Sequence, residues 1–296
     1  MKIRIGSRGS DLALWQANFV KSQLENLGHQ VEIKIIVTRG DRIQDLSFDK
    51  IEGKGFFTKE IEEALLHHEI DLAVHSHKDL ETTNPEGLVI GAVSYREEPN
   101  DILLIHQSAL DINQPFSLAV NSIVGTSAAR RKSQLKRLRP DCLIEDLRGN
   151  VPTRIQKLRD GKYGAIVLAC AGVERLRLNL DGLHVLKLNP EDFVPAPAQG
   201  VLGLQIREQD NELAVALKKI HHADVAESIQ VERDVLRLME GGCQLPLGIY
   251  CQKLGNEFHV LVSYSKSSVV AGKLYRFNQT STKGLAENIV HELKRD

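Results

Sequence analysis

Residues 122–169 decide the fold: SIVGTSAARRKSQLKRLRPDCLIEDLRGNVPTRIQKLRDGKYGAIVLA. They read as a strand over 122–124, a small-residue turn, a helix over 128–138, an extended piece over 143–147, a helix over 151–159 and a buried strand over 165–169. Apolar positions at helical spacing alternate with short apolar runs bounded by Gly, Pro and Asp. That is the pattern of an α/β lobe built on a parallel or mixed sheet. The stretch also carries Arg130, Arg131, Lys132, Lys136, Arg137, Arg139, Arg148, Arg154, Lys157 and Arg159 against only Asp141, Glu145 and Asp146 up to residue 159. The whole chain has a net charge of -1, so this cationic surface needs a local explanation. Gly125, Thr126 and Ser127 sit between strand and helix, where backbone N–H groups suit an anion. A guanidinium makes two parallel hydrogen bonds to a planar carboxylate or phosphate. A charge run taken alone has a blander reading, a solvated helix face.

Working outward, the N-terminal block repeats the plan. A strand over 2–5 leads to the turn Gly6 to Gly9, then to Ser10 as N-cap, with Leu12, Trp15 and Phe19 at helical spacing behind it. An alternating strand over 31–37, a polar stretch over 41–54, a helix over 57–67 and a strand over 70–74 ending in HSHKD follow, then a strand over 88–93. The pattern breaks at REEPND (96–101) and FVPAPAQG (193–200), which read as two crossings between lobes. Past Val225 a helix, SIQVERDVLRLME, leads to Gly241-Gly242-Cys243, to strands over 247–252, 258–265 and 269–276, and to a final helix. The expected fold is α/β: two lobes with a cleft between them, plus a smaller C-terminal α+β domain. Lobe 1 takes residues 1–96 plus 196–217, lobe 2 takes 97–195, and the last domain 218–296. A length of 296 residues agrees, at roughly 150 residues per domain.

Composition excludes several classes. MKIRIGSRGSD is too short and polar for a secretory signal. No run approaches the roughly 20 apolar residues of a membrane span. The four cysteines, Cys142, Cys170, Cys243 and Cys251, form no CxxC pair, which suits free thiols in a reducing cytoplasm. A pI near 6.8 disfavours a general nucleic-acid binder, and the basic stretch lacks stacking aromatics.

Two turns, GSRGS with Arg8 and Ser10, and GTSAARR with Thr126 and Ser127, follow strands in the two lobes. Ligands of open α/β sheets bind outside the carboxyl ends of the strands. Neither turn matches GxxxxGK[ST] or GxGxxG, so nucleotide binding is disfavoured. Lys78 and Asp79 directly follow a buried strand, where an ionised carboxylate beside a cation is either a catalytic group or a plain surface pair. His67, His68, His75 and His77 invite a zinc reading, but there is no HExxH and no Cys partner nearby, so no metal is expected. Glu52-Gly53-Lys54-Gly55 reads as a lid or a turn. The glycines before Cys243 favour an exposed thiol there over Cys142 or Cys170.

Taken together, IGSRGSDLALWQA, VTRGD, EGKGFFTKE, VHSHKD, GTSAARR, LRGNVPTR, LACAGVERL, PAPAQG and EGGCQLPLG, in order from Ile5 to Gly248, resemble the porphobilinogen deaminase (hydroxymethylbilane synthase) family. The resemblance implies two lobes like those of periplasmic binding proteins and a third domain carrying a cofactor cysteine. It implies a dipyrromethane cofactor linked covalently to Cys243, and a transferase that adds four porphobilinogens in turn with loss of ammonia and releases hydroxymethylbilane for heme (tetrapyrrole, porphyrin) biosynthesis. Asp79 would hold the pyrrole N–H groups and stabilise the cation formed as ammonia leaves, and Lys78 would bind substituent carboxylates. The cofactor-binding positions implied are Arg8, Ser10, Lys54, Ser76, Thr126, Ser127, Arg130, Arg131, Arg148, Gly149, Arg154, Arg175, Gln199 and Gly200. A cytoplasmic monomer is implied, with porphobilinogen as its partner and neither nucleic acid nor membrane. Ala128, Asn100, Pro152, His77 and Gln205 depart from the usual family residues. A two-lobed receptor for carboxylates or sulfate is the binding-module alternative, and it predicts no covalent cofactor.

Overall fold

The computed structural model describes residues 1–42, 57–242 and 244–295. They form two compact units, one drawn from 1–97 and 200–227, the other from 98–199 and 228–295.

In the first unit, strands β1 (Lys2–Ser7), β2 (Gln30–Ile35), β3 (Leu72–Ser76), β4 (Leu88–Val93) and β10 (Leu202–Arg207) form a sheet of order β2-β1-β3-β10-β4. β1 runs parallel to β2 and β3, whereas β10 is antiparallel to β3 and β4. Helices α1 (Asp11–Asn26), α2 (Arg39–Arg42), α3 (Lys59–Leu66) and α7 (Asn211–Lys218) belong to this unit. α1 buries Ala17, Val20 and Leu24 against Ile3, Ile5, Leu72, Val74 and Leu204. On the α3 side, Ile61, Leu65, Ile70 and Ala73 form a second cluster. Successive strand residues point to opposite faces, so a sheet covered on both sides needs apolar residues at both parities.

In the second unit, β5 (Asp101–His106), β6 (Ile123–Gly125), β7 (Leu143–Glu145), β8 (Ala165–Ala169) and β9 (Leu183–Lys187) take the order β7-β6-β8-β5-β9. β6 runs parallel to β7 and β8, and β5 is antiparallel to β8 and β9. The two sheets thus share one plan: three parallel strands, then an antiparallel strand, then an edge strand. The inserted strand is in each case the one that follows a break in the sequence pattern, β5 after REEPND and β10 after FVPAPAQG. Leu103 and Ile105 of β5 pack on one face with Val124, Leu135 and Phe193; Ile102 and Leu104 pack on the other with Leu147, Ile155 and Ile166. The helices are α4 (Ala129–Leu138), α5 (Val151–Arg159) and α6 (Cys170–Leu176).

Residues after α8 (Ala223–Leu238) form an antiparallel meander of β11 (Leu247–Leu254), β12 (Glu257–Tyr264) and β13 (Lys273–Gln279), closed by α9 (Leu285–Arg295). Val235, Ile249, Phe258, Val260, Ile289 and Leu293 fill its core. The strand expected over 269–276 is displaced. Val269 is 75% exposed and Val270 closes a turn onto Ser267, so this apolar pair caps a loop and pairing starts at Lys273. No helix of the described residues is long and apolar enough to cross a membrane.

Candidate active site

In each lobe the candidate residues gather just past the carboxyl ends of parallel strands. At the end of β1, the Ser10 hydroxyl caps α1 by accepting from the Ala13 N–H at 3.4 Å. Arg8 donates from Nε and Nη2 to Asp41 Oδ1 at 3.0 and 2.5 Å and lies 4.2 Å from the centre of the Phe57 ring. Asp41 Oδ2 accepts from the Thr38 N–H and Oγ1 at 3.1 and 2.8 Å. Burial opposes ionisation of Asp41, but the hydrogen bonds from Arg8 and Thr38 outweigh it and hold the carboxyl below its ordinary range.

At the end of β3, residues His77–Asp79 make a single 3-10 turn. Ser76 Oγ accepts from Gln16 Nε2 at 2.8 Å, which fastens the turn to α1. His77 points inward, Lys78 is half-buried and Asp79 is exposed. The carboxylate of Asp79 makes no hydrogen bond or ion pair with another described residue, so both oxygens are available to a ligand. Beneath the turn runs a buried polar chain. His75 Nε2 donates to Gln205 Oε1 at 3.2 Å, Gln205 Nε2 donates to Glu62 Oε1 at 3.1 Å, and Thr58 Oγ1 donates to Glu62 Oε2 at 3.4 Å. Burial pushes His75 down to about 4, so at neutral pH it is an uncharged donor. His75 Nε2 is thus engaged with protein, and among the described residues no group of three or more His, Cys, Asp or Glu could hold a metal ion.

The second lobe presents cations. Asp101 is fully buried, with Arg130 and Arg131 each 6% exposed beside it. Arg131 Nη2 and Nε donate to Asp101 Oδ1 and Oδ2 at 2.8 and 3.2 Å, and Arg130 Nη1 lies 2.8 Å from Oδ2. The same two side chains reach backbone carbonyls, Arg130 that of Val194 at 2.8 Å and Arg131 that of Val167 at 2.9 Å. Burial works against the charge on Asp101, and the two guanidinium groups overcome it, holding the carboxyl far below its usual range. Two cations against one carboxylate leave one positive charge over. Both arginines lie in the first turn of α4, where the helix dipole disfavours cations and favours an anion.

The neighbouring turns are rigid. The Ser127 hydroxyl donates to the Leu147 carbonyl and accepts from the Leu147 N–H, both at 3.0 Å. In this arrangement its hydroxyl joins the ends of β6 and β7. Thr126 Oγ1 accepts from the Ala128 N–H at 3.3 Å. Asn150 caps α5, and Arg154 Nε donates to the Gly149 carbonyl at 2.7 Å. Gly149 has φ +111°, and a Cβ there would stand 2.8 Å from the Thr153 methyl, so the LRGN turn requires glycine. Arg148 is half-buried, and Arg175 is buried on α6 beyond β8. Gln199 donates to the Pro99 carbonyl at 2.7 Å and to Asp101 Oδ1 at 2.9 Å. Gly200 has φ +89°, and a Cβ would lie 2.4 Å from the Glu97 carbonyl.

Lys54 and Cys243 lie outside the described residues. The other three thiols are buried. Burial pushes Cys142 up to about 11 and Cys170 up to about 12, so both stay protonated and unreactive. Sequence reasoning missed Asp41 and Asp101. Each was inside a quoted motif or break, and neither spacing nor charge pattern shows that a distant arginine folds onto it.

Two mixed sheets with guanidinium, hydroxyl and backbone donors, and the exposed carboxylate of Asp79, at their strand ends define an α/β protein with polar, cation-rich strand ends. The family model described as "Porphobilinogen deaminase, dipyromethane cofactor binding domain" matches residues 3–215. A porphobilinogen deaminase of Nitratiruptor sp. is 45% identical over 86% of this chain and 80% of its own length. One from Syntrophobacter fumaroxidans is 40% identical over 97% of this chain and 91% of its own, and one from Oceanobacillus iheyensis is 45% identical over 86% and 82%. The chain belongs to the porphobilinogen deaminase family. That is the family of hydroxymethylbilane synthase, a transferase of tetrapyrrole biosynthesis.

Proposed function

We propose that the chain carries a dipyrromethane as a thioether on Cys243 and condenses four porphobilinogens head to tail, releasing hydroxymethylbilane. The observation that carries this reading is the buried cluster of Asp101, Arg130 and Arg131, with its one uncompensated positive charge. Each pyrrole bears an acetate and a propionate. Burying a carboxylate without a partner costs several kcal/mol, so the pyrroles need a site already supplied with cations. The donors present fit such a group: planar guanidinium forks at Arg130, Arg131, Arg148 and Arg175, with Arg8, Arg154, Ser10, Ser76, Thr126 and Lys54 as further polar positions. Gly149, Gln199 and Gly200 shape the backbone around them. Ser127 contributes by fixing its turn.

When bound, the dipyrromethane supplies the pyrrole carbon that receives the first substrate ring. Asp79 accepts a hydrogen bond from the pyrrole N–H of the incoming ring and stabilises the positive charge that develops as ammonia departs. Among the described residues its carboxylate has no partner to give up first. Lys78 neutralises a substituent carboxylate and orients the ring. Asp79 then helps remove the proton displaced from the carbon that couples. Cys243 is an anchor; the burial of Cys142, Cys170 and Cys251 leaves thioether formation to it. The residues from 218 on serve as the anchoring domain, and the enzyme works as a cytoplasmic monomer that needs neither nucleic acid nor membrane.

The test is to incubate the purified chain with porphobilinogen and measure ammonia and tetrapyrrole together. One ammonia per porphobilinogen consumed, with a linear tetrapyrrole released, is expected. Reversible binding of porphobilinogen without ammonia release would leave the carboxylate receptor as the better reading.

A further inference from the structure

Glu232 on α8 is fully buried, and each of its oxygens accepts from a backbone N–H. Oε2 accepts from the Ala198 N–H at 2.6 Å and Oε1 from the Cys251 N–H at 2.7 Å. Ala198 is the third residue of a turn closed by the Gln199 N–H on the Ala196 carbonyl at 3.0 Å, with Pro197 in second place. Its φ is +56° and its side chain is fully buried. A proline second and a positive φ third are the requirements of a type II turn, whose third position suits glycine or asparagine. An alanine there is strained, and the Glu232 carboxylate grips the N–H of that residue.

The turn leads straight to the arginine pair. Gln199, next in the chain, donates to Asp101 Oδ1 at 2.9 Å, and Asp101 in turn holds Arg130 and Arg131. The preceding residues are fastened along the same line. The Ile249 N–H donates to the Pro195 carbonyl at 3.0 Å, the Val194 N–H donates to Gln134 Oε1 at 2.7 Å, and Arg130 Nη1 donates to the Val194 carbonyl at 2.8 Å. A buried path of backbone and hydrogen bonds thus runs from α8, the helix before Cys243, to the first turn of α4.

We infer that Glu232 is a positioning residue for loading of the primer: it fixes the Ala198 turn and so, through Gln199 and Asp101, the direction of the Arg130 and Arg131 guanidinium groups. This rests on the reading of that pair as a carboxylate holder. Glu232→Gln keeps the volume but puts an NH2 against one of two backbone N–H groups. Gln199→Ala cuts the path one link further on and leaves Glu232 in place.

The experiment uses full-length chain free of bound pyrroles, incubated with porphobilinogen and followed by intact mass for gain at Cys243. The quantity read is the porphobilinogen concentration giving half the maximal loading rate, with the melting temperature of each variant beside it. Both variants are expected to raise that concentration about tenfold. Ala198→Gly added to Glu232→Gln is expected to bring it back toward the parent value, because glycine accepts the turn without the carboxylate. Arg131→Leu is the control. If it loads poorly while both variants load at the parental concentration, with only melting temperature lowered, Glu232 merely supports the fold and the inference fails alone. If Arg131→Leu also loads at the parental concentration, the carboxylate-holder reading fails and takes the inference with it.

Discussion

The two lobes have one strand plan and opposite electrostatics. In lobe 1 the turn after β3 offers Asp79, exposed and without a partner among the described residues, and the adjacent Arg8 is already clamped by Asp41. In lobe 2 the turn after β6, the counterpart of β1, leads into Arg130 and Arg131, buried and in excess over Asp101. A shared scaffold therefore does not imply a shared task. In the proposed reaction, lobe 1 would supply a negative group for a charge that appears only during reaction, and lobe 2 a positive charge for carboxylates present throughout.

The largest effect expected from breaking this contrast is at Asp79. Asp79→Asn should fold normally and lose roughly a thousandfold in turnover, the scale of removing one electrostatic stabiliser of a transition state. Steady-state rates and a melting curve measure this, and near-parental turnover would remove Asp79 from the chemistry. Asp101→Asn should act on stability instead. It leaves two buried guanidinium groups without their carboxylate, and a loss of about 3–5 kcal/mol in denaturant unfolding is expected. A loss under ~1 kcal/mol would mean water screens the pair.

Acid should separate the lobes as well. His75 has a folded value of about 4 and an ordinary one of 6.5. Between those limits the unfolded chain binds a proton that the folded chain refuses, so stability falls as pH drops from 6.5 toward 4, by about 3 kcal/mol in all. Asp101 stays ionised across that window. Hydrogen exchange should show β1, β3 and β10 losing protection before β5 and β8, and His75→Gln should flatten the difference. Equal loss in both lobes would contradict it. The smallest effect is expected at Ser127→Ala, which removes a hydroxyl bonded twice to Leu147 and should cost about 1–2 kcal/mol in thermal or denaturant unfolding.

The parallel strands and their turns were legible because short apolar runs and glycine-rich punctuation carry local signals. The strands that complete each sheet were not. β5 is apolar on both faces and shows no alternation, and it begins at Asp101, which reads as the end of a polar break. β10 is buried throughout yet contains Gln205 and Arg207, whose partners Glu62, Asp71 and the carbonyls of Leu65 and Ile70 are far away in sequence. The site divides in the same way. Asp79, Arg130 and Arg131 stand in readable motifs, whereas the acids that orient the arginines, Asp41 and Asp101, are defined by long-range pairing. Ser127 was readable as a polar turn residue, but its commitment to Leu147 depends on β6 and β7 lying side by side.

The central claim is that lobe 2 secures the primer and lobe 1 performs the chemistry. It is tested most directly by intact mass and peptide mapping of Asp79→Asn and Arg131→Leu after exposure to porphobilinogen. The account predicts that Asp79→Asn carries two linked pyrrole units on the Cys243 peptide and turns over poorly, while Arg131→Leu stays largely unmodified. A fully loaded Arg131→Leu beside an unmodified Asp79→Asn would contradict it.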